Sequence, residues 1–399
     1  MKSRATPALA LLAFGLWVAP GVFAQTALTL KDVKDLALDA FLREKLPELL
    51  AQKTDNFQLK YVEPSDAGDE PGWGIDYAWK VKKESAPSAA PADGQPFNIS
   101  RLSYELAIDG SYVIDDAKNN KDLSTITANL KLARGSFGKL KVIDATISNA
   151  FLNCLNAIPF PTSEADIPAY DRNSSKCVKA NGIDKAISAD TDSSYYWLDF
   201  HGGVEANQDY SQTHTLFGLS GAYARQPSRD HRHYNLLDAP FRLLRSAFDT
   251  QSKDEFAKTD YVAPYPSVLL GIERLDADEQ DPRSALTTET TFTRAKAEIA
   301  FNTQLANFGG EIVRLNASYR YFKELSAPSA VKAAELDEFD FFTASLRFPA
   351  RLLPLIESNS YELFVSYTSG KLPFGVESDQ AFEIGISTNI QVLADFLSN

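Results

Sequence analysis

The sequence predicts an all-β chain that closes into a transmembrane antiparallel β-barrel of about twelve strands, with an N-terminal helix and two partly helical insertions. Three observations predict it. A two-residue alternation of apolar and polar side chains recurs from Asn56 to Phe396. The apolar face of that alternation is almost free of charge, with Tyr and Trp toward strand ends, as a lipid-facing band requires. After the leader, no stretch of 18 or more apolar residues is present, so no helix is expected to span a bilayer.

Composition sets the outer limits. With 399 residues, 44% hydrophobic and 11% aromatic, the chain has material for a large core or barrel, and it is neither disordered nor a small disulfide scaffold. Lys+Arg 40 against Asp+Glu 53 gives a net charge of −13, which repels phosphate backbones and excludes nucleic acid as an expected partner. No cofactor motif is present, so none is expected.

Residues 1–24 read as a cleaved secretory signal: Lys2 and Arg4 precede an apolar run from Ala8 to Val18, and Val22-Phe23-Ala24 suits a signal peptidase. Loss of Lys2 and Arg4 takes the mature chain to about −15. Residues 25–55 read as a periplasmic helix. Thr29-Leu30-Lys31-Asp32 resembles a capping box, Val33, Leu36, Ala37, Ala40 and Phe41 follow at helical spacing, and Pro47 ends or kinks the helix. In the oxidising compartment that a signal implies, Cys154 and Cys177 can pair, which pins one loop without defining the fold.

From residue 56 to 399 the period is two. The alternation is longest from Phe382 to Phe396, where Phe382, Ile384, Ile386, Ile390, Val392 and Phe396 share one face. Tyr361, Leu363, Val365 and Tyr367 form another such face, as do Phe342, Ala344, Leu346 and Phe348, then Val313, Leu315, Ala317, Tyr319 and Tyr321. Ala295, Ala297, Ile299, Phe301 and Leu305 continue the series, with Tyr196, Leu198 and Phe200, with Leu102, Tyr104, Leu106 and Ile108, and with Trp73, Ile75, Tyr77 and Trp79. Residues 57–61, 126–132, 217–223 and 268–272 are weaker members. Arg274 and Lys323 are the charged exceptions on this face, and both fall at strand ends, where a long side chain can snorkel.

With a signal, a strand meander from about Asn56 to Phe396 and an aromatic close to the C-terminus, the chain resembles the Gram-negative outer-membrane β-barrel proteins as a broad class. That class ends on an aromatic; here Leu397, Ser398 and Asn399 follow Phe396. The resemblance implies residence among outer-membrane lipids and folding by the barrel-assembly machinery. It also implies long external loops and short periplasmic turns, whereas a first strand starting in the periplasm puts the insertions at 135–193 and 226–264 on the periplasmic side. There they could cap the barrel, plug it, lie on the membrane surface or dock a periplasmic partner. Ile143, Ile147, Ala150, Phe151 and Cys154 share one helical face; Phe241, Leu244 and Phe248 share another, opposite Arg242 and Arg245. The Ala-, Ser- and Pro-rich stretch from Glu84 to Pro96 reads as a connector.

Functional candidates lie on the inward face. Arg294, Lys296, Arg314, Arg320 and Arg347 come from three successive strands and make a basic arc, while Asp76, Glu105, Asp109, Asp199, Glu205, Glu362 and Glu383 lie on other strands. Such walls either set a transverse field across a water-filled pore, favouring small polar or anionic solutes, or pair to fill a narrow lumen. A passive channel is therefore the leading expectation, an interaction barrel the second. Lipid hydrolysis is the third, and it would need a Ser and a His in hydrogen-bond reach; His201 is expected in the lumen, followed by Gly202 and Gly203. His231 and His233 could share a face toward a metal, and Asp276, Asp278, Glu279 and Asp281 could bind calcium, but flanking arginines oppose the first and the second lacks a calcium loop's Gly and terminal Glu. No metal site is assigned.

Overall fold

The computed structural model describes residues 56–63, 72–84, 96–113, 124–139, 154, 158, 192–207, 212–228, 231–248, 261–278, 281–308, 311–350, 361–373 and 376–388. The signal, the 25–55 helix, the Glu84 to Pro96 connector apart from its two end residues, Cys177, Glu279 and Phe396 lie outside them, and of the first insertion only 135–139, Cys154, Ile158, Asp192 and Ser193 lie within them.

Twelve strands follow one another as an antiparallel meander. They are β1 (Asn56–Glu63), β2 (Gly72–Glu84), β3 (Pro96–Val113), β4 (Ser124–Lys139), β5 (Ser193–Ala206), β6 (Thr213–Gln226), β7 (Ser267–Ala277), β8 (Thr291–Phe308), β9 (Glu311–Glu324), β10 (Glu338–Pro349), β11 (Tyr361–Leu372) and β12 (Val376–Thr388). β1 pairs with β2 on one edge and with β12 on the other, from Phe57↔Thr388 to Glu63↔Phe382, so the sheet is a closed barrel. Closure removes every unpaired strand edge, the only arrangement of strands that hydrocarbon tolerates. Among the elements that interrupt the meander are the α-helices α1 (Ala239–Phe248) between β6 and β7, and α2 (Ser329–Ala333) between β9 and β10.

The side chains are distributed inside out. Leu198, Phe200, Leu219, Leu270, Ile272, Ile299 and Ile384 are exposed on the outer wall, whereas Lys60, Arg101, Glu105, His201, Glu205, Glu273, Arg294 and Glu383 are buried within it. Water would favour the reverse; a lipid exterior favours this one. Aromatic pairs mark the ends of the belt: Tyr61–Trp73 at 5.4 Å between ring centroids, Tyr196–Tyr223 at 5.0 Å and Tyr367–Phe382 at 5.2 Å. None of the described helices is long and apolar enough to cross a membrane; the strands cross it.

An even strand number brings the chain into β1 and out of β12 at the same end, called here the terminal end. Both insertions join strands at that end, in the β4–β5 and β6–β7 connections. Three local readings change. β12 starts upstream of Phe382, at Val376: its ladder with β11 shifts register between Thr368 and Gly370, where Asp379 and Gln380 of β12 stand opposite Ser369, and continues through Gly370↔Ser378. Gly370, beside this shift, has a φ of +112°, a left-handed conformation that suits glycine. Leu305 is not on the regular apolar face, since a second irregularity between Gln304 and Ala306 takes it out of register. On α1, the buried Arg245 faces β8, as Phe241 does, and does not point away from that face.

Candidate functional site

The lumen is built by the inward halves of the alternation. At the closure seam Lys60 on β1 reaches Asp76 on β2 at 2.7 Å and Glu383 on β12 at 3.2 Å, joining the first two strands and the last. Ser366 of β11 donates to the same Glu383 at 2.7 Å.

At the far end, away from the termini, β5 to β9 carry a buried ionic cluster. Arg294, 1% exposed, donates to Glu205 at 2.9 and 3.2 Å and to Glu273 at 2.7 and 3.0 Å. Each carboxylate is fixed again from elsewhere: His201 Nε2 lies 3.0 Å from Glu273, Lys296 also contacts Glu273, and His214 Nδ1 lies 3.8 Å from Glu205. His201 on β5 and Glu273 on β7 meet across β6 because residue 218 is glycine. A Cβ there would lie 2.7 Å from Glu273 Cγ and 2.8 Å from His201 Nε2.

The β7–β8 connection folds onto this cluster. Its 3₁₀ turn, Pro282–Ala285, sends Arg283 to Glu324 at 2.8 Å and to Asp281 at 2.7 and 2.8 Å, over the Phe292 ring at 4.2 Å. His214 Nε2 contacts Asp281 and lies 2.9 Å from Arg283 Nη2. Burial pushes the Asp281 carboxyl up, but hydrogen bonds and charge from Arg283 and His214 outweigh it and hold the group well below the usual carboxylate range. Asp281 is therefore no solvated acidic tip. Asp278 is likewise engaged, accepting from the Thr213 N–H and hydroxyl at 2.9 Å. Beside the cluster, Phe322, Phe339, Phe341 and Leu372 pack together inside the barrel, so this mouth is narrowed by ions on one side and by rings on the other.

Deeper in, space remains. A cavity of about 390 Å³ is lined by Lys131, Trp197, Asp199, Glu298, Asn316 and Ser345 among others. A second, of about 380 Å³, is lined by Asp109, Asp199, Glu205, Lys296, Glu298 and Arg320 among others. Asp199 and Glu298 belong to both, so the two are neighbours.

All five members of the expected basic arc stand on inward positions, in different company. Arg294 and Lys296 are tied to carboxylates; Arg320 lies over the Phe341 ring at 5.0 Å and Arg347 over Phe364 at 6.0 Å; Arg314 is paired in register with Arg347. Glu105 is buried, and Asp76 and Glu383 share Lys60. Glu362 is half-buried and in register with Pro349 at the terminal end of β10. Lys60, Lys131, Glu273 and Glu298 also belong to this wall without having been singled out as site residues. Extending the odd positions of β7 through Leu269, Gly271, Glu273 and Leu275 would have found Glu273.

The remaining candidates lie outside the wall. His231 Nδ1 is 3.0 Å from Asp192, while the Ser228 hydroxyl accepts from the His231 backbone N–H at 3.3 Å. Burial pushes the Asp192 carboxyl up, and the Ser228 N–H, His231 and Arg225 outweigh it, leaving the group at about 2. The His233 ring rests on Tyr234, 4.0 Å between centroids.

No protein-family model and no curated protein matches the sequence. Solved structures similar to it are outer-membrane barrels. They include the KdgM porin in complex with disordered oligogalacturonate, at 7% identity and a TM-score of 0.25 over 84% of this chain and 98% of that one. Another is the β domain of the Bordetella autotransporter BrkA, at 10% identity and 0.27 over 84% and 97%. A third is an outer-membrane channel from Pseudomonas putida F1, at 7% and 0.27 over 84% and 95%. At such scores what these proteins carry stays theirs. The closed twelve-strand barrel with its apolar exterior, the architecture of outer-membrane β-barrels, stands on this chain's own strand pairing and burial.

Proposed function

We propose that the protein is a passive channel of the outer membrane of a Gram-negative bacterium, admitting small polar solutes and favouring anions along Arg314, Arg320 and Arg347. The observation that supports this is the pair of neighbouring cavities inside the wall, too large to be packing defects and each lined by charges of both signs. In this reading the terminal end faces the periplasm, the barrel-assembly machinery inserts the chain, and the bridge between Cys154 and Cys177 ties down the first insertion.

Planar-bilayer recording of the purified protein tests it. Stepwise conductance is expected, and Arg314→Glu combined with Arg320→Glu should lower the anion preference, since both changes reverse charge on the wall that attracts anions. A well-inserted barrel that passes no current overturns the proposal.

A further inference from the structure

The segment from Arg232 to Phe248 lies against the outside of the barrel. Its partners on β8 are Phe301 and Thr303, which by strand parity share the outward face of Ile299; their register partners Ala317 and Leu315 share that of Tyr319. Phe241 packs on Phe301 with ring centroids 6.1 Å apart. Arg245 donates to Asp238 at 3.0 Å, to the Thr303 hydroxyl at 3.0 Å and to the Gln304 carbonyl at 2.5 Å, and Thr303 donates to Asp238 at 2.7 Å. Tyr261 lies beneath the Arg245 guanidinium, 5.0 Å away, and Asn235 donates to the carbonyls of Ala263 and Pro264. A fully satisfied ion pair thus rivets α1 to the wall, leaving its apolar side outward: Leu236 and Leu243 are 77% and 73% exposed, and Leu237 and Leu244 are exposed beside them.

The height of this patch decides what covers it. On β8 the outward positions from Thr293 to Thr303 bracket Ala295, Ala297, Ile299 and Phe301, and Thr293 pairs with the outward Arg274. Ten residues of strand cover about 33 Å, or about 25 Å once tilted by about 40°, the height of a lipid-facing apolar band. The rivet at Thr303 therefore sits at the terminal edge of that band. On β6 the same edge carries Arg225, two residues beyond the exposed Tyr223 and paired with Asp192. Val268, Leu270 and Ile299 are exposed on the adjoining strands, and Arg232 and Arg242 stand in the same segment as the exposed leucines.

We propose that residues 232–248 form a foot lying in the membrane interface. It inserts Leu236, Leu237, Leu243 and Leu244 among the acyl chains of the leaflet at the terminal end and sets Arg232 and Arg242 at the depth of lipid phosphates. This rests on the barrel's residence in a bilayer and not on conduction. The test uses the full chain in vesicles of phosphatidylethanolamine and phosphatidylglycerol, with photoreactive p-benzoylphenylalanine replacing Leu243, Leu237 or, as a belt control, Leu270. Lipid adducts are expected at all three positions, and Arg232→Glu with Arg242→Glu should lower the yield at Leu243 and Leu237 by about tenfold while sparing Leu270. Adducts at Leu270 alone, or a chain-to-chain crosslink at Leu243 marking a second copy as the occupant, overturn the foot. Loss of adducts at Leu270 as well overturns the bilayer reading with it.

Discussion

A single guanidinium holds the far end of the lumen together. Arg294 is the shared counter-ion of Glu205 and Glu273, so removing it takes the main positive partner from two buried carboxylates. Arg294→Met should destabilise the barrel by about 3–5 kcal/mol, read as a lower midpoint of urea unfolding in detergent micelles, with Glu205→Gln and Glu273→Gln restoring part of the loss. Asp192 gives a pH prediction of definite sign. Its carboxyl sits at about 2 in the folded chain against a usual 3.8, so the ties to Ser228, His231 and Arg225 are fully present above 3.8 and lost as pH falls through about 2. Hydrogen exchange at the Ser228 and His231 amides should quicken in that window, and Asp192→Asn should quicken it at neutral pH. Lys60 shows why part of the site escaped the sequence. It lies on the shortest strand, where alternation runs for too few positions to declare which face is inward, and only the closure that brings β2 and β12 to β1 reveals its two partners.

Strands were legible where the wall is regular, as in Tyr196, Leu198 and Phe200 outward against Tyr195, Trp197 and His201 inward. They were less legible where an irregularity resets the period, as at Gln304/Ala306 and at Thr368/Gly370, because a bulge leaves no reliable residue signature. The helix α1 was legible as a helix, but its buried face was not. A buried arginine is unexpected from a hydrophobicity pattern, and of the groups that satisfy it, Asp238, Thr303 and the Gln304 carbonyl, the last two are distant in sequence. The β7–β8 connection belongs to this scale too. Its acidic residues read as a wet tip, yet Asp281 and Arg283 are drawn into the mouth by His214 and Glu324. Shortening the connection to remove residues 281–289 should raise unit conductance in planar bilayers, because it takes Arg283 out of the narrowed mouth; an unchanged conductance would place the constriction elsewhere.

Across the whole molecule, outside and inside exchange their usual roles, and that inversion is what the alternation encoded from the start. The field inside is less polarised than the sequence suggested. Arg294 and Lys296 are answered by Glu205 and Glu273 on strands close beside them, Arg320 stands in register with Glu298, and Arg314 and Arg347 face each other across β9 and β10. Charges that looked like opposed walls in a linear listing of strands became neighbours once the sheet curled, since inward side chains of nearby strands converge on a small radius.

The β1–β12 seam has a consequence for the order of assembly. Every other pairing joins strands consecutive along the chain and can zip as a hairpin grows, whereas Phe57 must wait for Thr388. A polypeptide halted before its last strand would carry two bare rims of amides and carbonyls that oil cannot solvate. Synthesis must therefore run nearly to completion before any part of the cylinder becomes a comfortable resident of the lipid.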